Sequence, residues 1–189
     1  TAQLGFIYQK DQENSILFHS KFKRSDKKQI FNDVYDSFKK NANQKFDVLR
    51  SGPIVQASLN ITAKYMLTEM TSPENMLQRL GRLDRFGKGE TTNILSVAIT
   101  ENVKSGSCKG SLAYFLNQLH SLQTAKAWYV FLQEKLDQKE FQLTMLYSLY
   151  KEFYAQQVDA NSAVNQDMEK ALKKSIDLLN QKVTEPTKV

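Results

Sequence analysis

A lone cysteine, Cys108, and two histidines, His19 and His120, are all that the 189 residues hold of the side chains that build disulfides and most zinc centres. One cysteine excludes an internal disulfide framework, and no metal site is expected from so few soft ligands. A reducing, cytoplasmic setting fits this composition. Long apolar runs are missing too. The longest, Ala127 to Leu132, falls far short of the roughly 18 to 20 residues of a bilayer span, so no membrane partner and a soluble chain are expected. The chain opens on Thr1 with no charged segment and apolar core behind it, so nothing resembles a secretory signal. It reads as a piece cut from something longer.

What is present is enough for a core: 41% of the residues are hydrophobic and 11% aromatic, which argues against wholesale disorder. The length suits one domain, or one domain with an appendage. Net charge is +6, and its placement says more than its size. Residues 21 to 50 carry nine Lys or Arg against four Asp, and "RLGRLDRFGK" (79 to 88) carries four against one. Clustered positive charge points to phosphate, in nucleic acid or nucleotide; a merely solvated basic surface is the other reading, and composition leaves both open.

Along the first hundred residues short apolar runs alternate with helical spacing. "SILFHS" (15 to 20) reads as a strand. "SDKKQIFNDVYDSFKK" (25 to 40) reads as a helix, with Ser25 as its cap and Ile30, Phe31, Val34, Tyr35 and Phe38 as its apolar stripe. "KFDVLRSG" (45 to 52) and "KYMLTEM" (64 to 70) are strands. "SPENMLQRLGRL" (72 to 83) is a helix with Ser72 as cap and Pro73 at its first position, and "NILSVAIT" (93 to 100) is a last strand. This order requires crossovers and predicts an α/β fold with a mostly parallel sheet and flanking helices. "NVKSGSCKGS" (102 to 111) is a loop by composition. Helical spacing then dominates, with helices at about 111 to 120, 122 to 136, 138 to 156 and 164 to 182, the last carrying Met168, Leu172, Leu179 and Val183 on one face. Aromatics in this region, Trp128, Phe131 and Phe153 among them, suit either a core or base stacking, and their helical spacing favours the core.

The stretch "ENMLQRLGRLDRFGKGE" (74 to 90) concentrates the chemistry. On a helix, Met76, Leu77, Leu80 and Leu83 fall on one side; Gln78, Arg82 and Arg85 share an arc on the other, with Arg79 beside it. Gly81 costs such a helix about 1 kcal/mol relative to Ala, so it marks a close approach or the helix end. Guanidiniums three residues apart, with a glutamine one turn earlier, make a planar array of donors suited to phosphate oxygens.

Gln78, Arg79, Gly81, Arg82 and Arg85 resemble the Gln-Arg-x-Gly-Arg-x-x-Arg signature of superfamily 2 helicases. "ILFHSKF" (16 to 22) and "GPIVQASLNI" (52 to 61) are similar to two further motifs, most like those of the helicase-nuclease of type I CRISPR systems. The resemblance implies a second RecA-like domain over residues 1 to 101, a linker over 102 to 110, a helical accessory region over 111 to 183 and a tail over 184 to 189. It implies that Arg82 and Arg85 act as arginine fingers on ATP, that Gln78 holds the nucleotide or attacking water, and that Arg79 pairs with acidic groups across the cleft. His19, Ser20, Lys21, Gln56 and Ser58 would contact the backbone of single-stranded DNA. Asn60 stands where many such helicases carry Asp; an amide can serve the ATP cleft or a neighbouring arginine only without a carboxylate's charge. Lys21 likewise stands where Arg is frequent.

No Gly-x-x-x-x-Gly-Lys-Ser/Thr loop is present, and "FGKGETT" (86 to 92) has the wrong spacing. There is no Asp-Glu pair of the DEAD type for Mg²⁺ and no His-Asp nuclease cluster. ATP and Mg²⁺ would thus be bound mainly by a partner RecA-like domain, and this piece alone is expected to bind no cofactor and to be inactive. The implied partners are single-stranded DNA, the first RecA-like and nuclease domains of the same protein, and an RNA-guided type I surveillance complex. Two other readings stay open: a non-catalytic nucleic-acid- or protein-binding module on a helicase-like fold, and a superfamily 2 helicase outside CRISPR.

Overall fold

The computed structural model describes residues 14–87, 92–136 and 140–180, apart from the side chains of Ala57 and Ser58. Most of "FGKGETT", Val183 and the 184–189 tail lie outside those residues. The chain divides into two compact units, residues 1–68 with 74–96, and residues 69–73 with 97–189.

Short apolar runs and helices combine into two β-α-β units. Strand β1, Ser15–Phe18, is buried at all four positions, which is why it reads as an unbroken apolar run. It lies parallel to β2, Val48–Ser51, in register from Ser15 opposite Val48 to Phe18 opposite Ser51. A parallel neighbour cannot be reached by a tight turn, and helix α1, Arg24–Phe38, makes the crossover. Lys23, not Ser25, occupies its N-cap; the Ser25 hydroxyl instead donates to Asp26, whose charge sits in the first turn where the helix dipole favours it. Val34 is fully buried, with Ile30 and Phe38 packed beside it, while Phe31 and Tyr35 stay more than a third exposed. The apolar stripe is therefore narrower than its spacing suggests.

After β2 the chain turns rather than ending a strand. Pro53, with φ −58°, sets up a one-turn helix α2, Ile54–Ser58, because its ring fixes φ near the helical value. Leu59 and Ile61 then drop into the core of Ile16, Phe18 and Val34. Strand β3, Tyr65–Glu69, is followed by α3, Pro73–Leu80, with Pro73 opening the helix as expected, and by β4, Ile94–Ala98. The Ile94 N–H donates to the Lys64 carbonyl at one end, and the Met70 N–H to the Ala98 carbonyl at the other, so β3 and β4 also run parallel. Among the described residues the strands form two separate pairs, β1 with β2 and β3 with β4. β1 is buried throughout while β3 alternates exposed and half-buried residues, the period of a strand with one covered face.

In the second unit the expected loop at 102 begins with one helical turn, α4, Glu101–Ser105. The Thr100 hydroxyl accepts from the Val103 N–H, and Gly106 closes the turn at φ 75°, a conformation glycine adopts without penalty. Val103 is wholly buried against Ala113, Leu116, Leu122 and Ala125, and that burial fixes a turn which composition alone presents as a loop. Helices α5 (Ser111–Gln118), α6 (Leu122–Lys135), α7 (Leu143–Ala155) and α8 (Ala163–Asn180) follow. α7 starts later than its sequence pattern suggests, at Leu143.

Trp128 stacks on Phe131 at 5.6 Å between ring centroids and meets Phe153 edge-on at 5.1 Å, and all three are buried. These aromatics are core. Helix α8 docks in an unexpected way. Met168, Leu172 and Leu179 are exposed, and the buried residue is Asp167. Its carboxylate accepts from both the N–H and the hydroxyl of Thr124, each at 2.9 Å, in the first turn of α6, where N–H groups lack helical partners.

Asp167→Ala leaves that amide buried without its acceptor and is expected to destabilise the second unit by about 2 kcal/mol. Denaturant unfolding followed by the fluorescence of Trp128, the single tryptophan, measures this. A loss under about 0.5 kcal/mol, the range of ordinary surface substitutions, contradicts the capping role.

Candidate functional site

Parallel strands present their carboxyl ends on one side, and ligands of open α/β sheets bind there. β1 ends at Phe18 and leads into His19, Ser20 and Lys21; β2 ends at Ser51 and leads through Gly52 and Pro53 into α2, which carries Gln56 and Ser58. The Gly52 N–H donates to the Phe18 carbonyl at 3.2 Å, and a Cβ on Gly52 would lie 3.9 Å from that of His19. Two of the sequence-predicted segments thus leave adjacent strand ends. The Ser58 side chain lies outside the described residues.

The His19 ring stacks on Phe22, with centroids 4.2 Å apart and planes 11° apart. Its Nδ1 accepts from the Lys21 N–H at 3.1 Å. Nδ1 can accept only while it carries no proton. Burial, followed by the positive charge of Lys21 and Lys27 among its neighbours, holds its pKa below the ordinary 6.5. Lys27 also donates to the Ser20 carbonyl at 2.9 Å, tying α1 to this turn and leaving Ser20 and Lys21 exposed.

The arginine-bearing segment differs from a continuous helix. α3 stops at Leu80; the Arg82 and Leu83 N–H groups bond three residues back, to Arg79 and Leu80. Leu83 then forms a parallel bridge with Ala63, and Asp84 takes a left-handed φ of 44°. Gly81 is the first residue past the helix, so it marks the helix end. Arg82 and Arg85 consequently do not share a helical arc with Gln78, which remains exposed on α3. They are brought together by the turn, and Nη1 of each donates to one carbonyl, that of Gly81, at 3.3 and 3.0 Å.

Beyond that shared acceptor their surroundings diverge. Arg82 also donates from Nε to the Val55 carbonyl at 3.3 Å and from Nη2 to the Gln56 carbonyl at 2.8 Å. Desolvation, and then the charge of Arg85, lower its pKa from the usual arginine value. Arg85 is exposed; its Nε donates to the Asn60 side-chain oxygen and its N–H to the Thr62 hydroxyl at 3.1 Å. Among the described residues its Nη2 donates to none. Asn60 therefore does engage a neighbouring arginine, as a neutral acceptor. Arg79 donates to the Thr68 hydroxyl at 2.7 Å and, with the Gln56 amide turned so that its oxygen faces the guanidinium, from Nε and Nη2 to Gln56.

Arg79, Arg82 and Arg85 thus converge on α2, on Asn60 and Thr62 in the segment after it, and on Thr68 of β3. Sequence reasoning missed Thr62, Thr68, Lys27 and the main-chain carbonyls of Val55 and Gln56; these are tertiary partners with no local signal. For a nucleotide, the exposed Arg85 guanidinium suits a phosphate oxygen. Among the described residues no group of three His, Cys, Asp or Glu is placed to hold a metal ion. No helix among them is long and apolar enough to cross a membrane.

Residues 2–88 match the family described as CRISPR-associated nuclease/helicase Cas3, C-terminal. A CRISPR-associated nuclease/helicase Cas3 of Methanocaldococcus jannaschii is 28% identical over 81 residues, 42% of this chain and 11% of that protein. Among solved structures, T. fusca Cas3 with AMPPNP superposes with a TM-score of 0.66 at 16% identity, and T. fusca Cas3 with ADP with 0.65 at 18%. Each comparison covers 94% of this chain and 21% of the other. At that identity the likeness shows the fold: an α/β, RecA-like arrangement followed by helices. The chain spans about a tenth of the curated relative's length and a fifth of the solved ones.

Because the folded state holds His19 below 6.5, the unfolded chain binds the extra proton first as pH falls. This contribution to stability is fully present above 6.5 and is lost as pH drops through the folded pKa. An NMR titration should place the His19 midpoint below 6.5. A midpoint at or above 6.5 contradicts the lowering by burial and neighbouring positive charge.

Proposed function

We propose that this chain, whose residues 2–88 match the family described as CRISPR-associated nuclease/helicase Cas3, C-terminal, is the C-terminal half of an ATP-dependent DNA helicase or translocase of CRISPR interference. Residues 1–101 serve as its second RecA-like domain, 102–110 as the link, and 111–183 as an accessory helical region beside the DNA path. Arg85 is the arginine finger. Its exposed guanidinium, bonded to Asn60 through Nε and to the Gly81 carbonyl through Nη1 with Nη2 donating to none of the described residues, is the single observation that carries this reading, since a charge that must meet a phosphate in a partner domain has to be able to reach it. Gln78, exposed on α3, is close enough in sequence to serve the same cleft. Arg82 would serve as the second finger, its guanidinium leaving the carbonyls of Val55, Gln56 and Gly81 to reach the phosphate.

His19, Ser20, Lys21, Gln56 and Ser58 would track the sugar-phosphate backbone of single-stranded DNA without reading sequence. The phosphate loop, the Mg²⁺ ligands and the nuclease centre would come from the other domains of the intact protein, and the DNA from an RNA-guided type I surveillance complex. Alone, this segment would turn over no ATP.

In the intact protein, Arg85→Ala is expected to lower DNA-stimulated ATP hydrolysis by about 10³-fold, the scale of a lost arginine finger, with nucleotide binding unchanged. Steady-state kinetics and a fluorescent-nucleotide titration measure the two. Hydrolysis that survives the substitution overturns the assignment.

A further inference from the structure

We infer that Thr62 is a positioning residue for the arginine finger: its hydroxyl holds the main chain of Arg85 and so fixes the point from which that guanidinium reaches out. The inference rests on the helicase reading above and deepens it. Arg85 stands second in a tight turn from Asp84 to Gly87, closed by the Gly87 N–H on the Asp84 carbonyl at 2.9 Å. The second N–H of such a turn has no acceptor inside it. Here the Thr62 hydroxyl accepts from it at 3.1 Å. Asp84, just before, takes a left-handed φ of 44°, a backbone that a residue other than glycine holds only when its surroundings impose it. Ala63, next to Thr62, imposes it: the Ala63 N–H donates to the Arg82 carbonyl at 2.9 Å, and the Asp84 N–H donates to the Ala63 carbonyl at 2.8 Å.

Thr62 is itself anchored on the side away from Arg85. Its N–H donates to the Phe38 carbonyl at 2.9 Å, at the C-terminal end of α1, where carbonyls lack helical partners. The preceding Ile61 is buried in the core with Ile16, Phe18 and Val34. Thr62 therefore transmits the position of a buried core to an exposed arginine. The finger needs such an anchor. Its side chain is bonded to Asn60 and to the Gly81 carbonyl, and those bonds must give way when the guanidinium turns to a phosphate; the bond from the Arg85 main chain to Thr62 stays made whichever way the side chain points. The residue type fits the task, since a threonine hydroxyl can accept and its β-branch narrows the rotamers that aim it.

The test uses the intact protein with Thr62→Val and Thr62→Ala, which remove the hydroxyl, Thr62→Ser, which keeps it, and Thr62→Val combined with Arg85→Ala. It measures kcat, the KM for ATP and the single-stranded DNA concentration giving half-maximal stimulation, with single-turnover hydrolysis for the slowest variants. Loss of the hydroxyl is expected to lower kcat about tenfold, part of what misplacing a catalytic group by about an ångström costs, with the KM for ATP and the DNA half-saturation little changed. Thr62→Ala, which lacks the hydroxyl without the extra methyl of valine, should lose as much, and guards against a valine variant that fails to fold. Thr62→Ser should restore kcat. Added to Arg85→Ala, Thr62→Val should cost nothing further, because the group it acts through is already gone. An unaltered kcat without the hydroxyl overturns the inference, and so does a serine variant as slow as the valine one. An equal further loss in the Arg85→Ala background also overturns it, by showing that Thr62 does not act through Arg85. If Arg85→Ala itself leaves hydrolysis intact, the finger reading fails first and takes this inference with it.

Discussion

The carbonyl end of a one-turn helix has too few donors of its own, and at α2 the guanidinium of Arg82, 26 positions further along the chain, fills that need at the Gln56 carbonyl. The rest of the site hangs on this contact. To deliver Arg82 there, α3 must end at Leu80 and the chain must turn at once. That turn exposes the Gly81 carbonyl, which both Arg82 and Arg85 use, and it carries Leu83 into its bridge with Ala63. Arg85 is then left at the surface beside Asn60. A basic segment that could have spread its charges over one helix face instead divides them between holding the fold and facing outward.

The scaffold beneath is simple. β1 and β2 run parallel with α1 between them, and the core of Ile16, Phe18, Val34, Leu59 and Ile61 packs under the turns that leave their carboxyl ends. Burial of Leu59 and Ile61 on the far side of α2 pins that turn from below, while the arginines hold it from the side. His19 stacks on Phe22 and is tied through the neighbouring Ser20 carbonyl to Lys27 of α1. Hydrophobic burial sets where these loops begin, and hydrogen bonds to main-chain atoms set their shape.

Much of this was legible in the chain itself. Strands at 15, 48, 65 and 94 and the helices α1 and α3 follow from period and length, and the parallel character follows from their alternation; the one-turn α2 is too short to show a period. Gly81 signalled a break because a glycine in a helix interior is unfavourable. What could not be read is where the break sends the side chains: a helical projection carries Arg82 and Arg85 past Leu80 as though the helix went on. Val103 shows the same limit, since a turn rich in Gly and Ser looks like loop until a buried valine anchors it. Asp167 shows it in reverse. The spacing of Met168, Leu172 and Leu179 suggests an apolar docking face, yet α8 is anchored by a carboxylate on the first turn of α6. Each failure concerns a partner distant in sequence, which local propensity cannot supply.

The contact between Arg82 and α2 can be observed without reference to activity. Amide hydrogen exchange over residues 53–60 of the intact protein reports how often that turn opens. If Arg82 clamps it, exchange there accelerates in Arg82→Ala and stays at the native rate in Arg85→Ala. Equal exchange in the two variants would contradict the account.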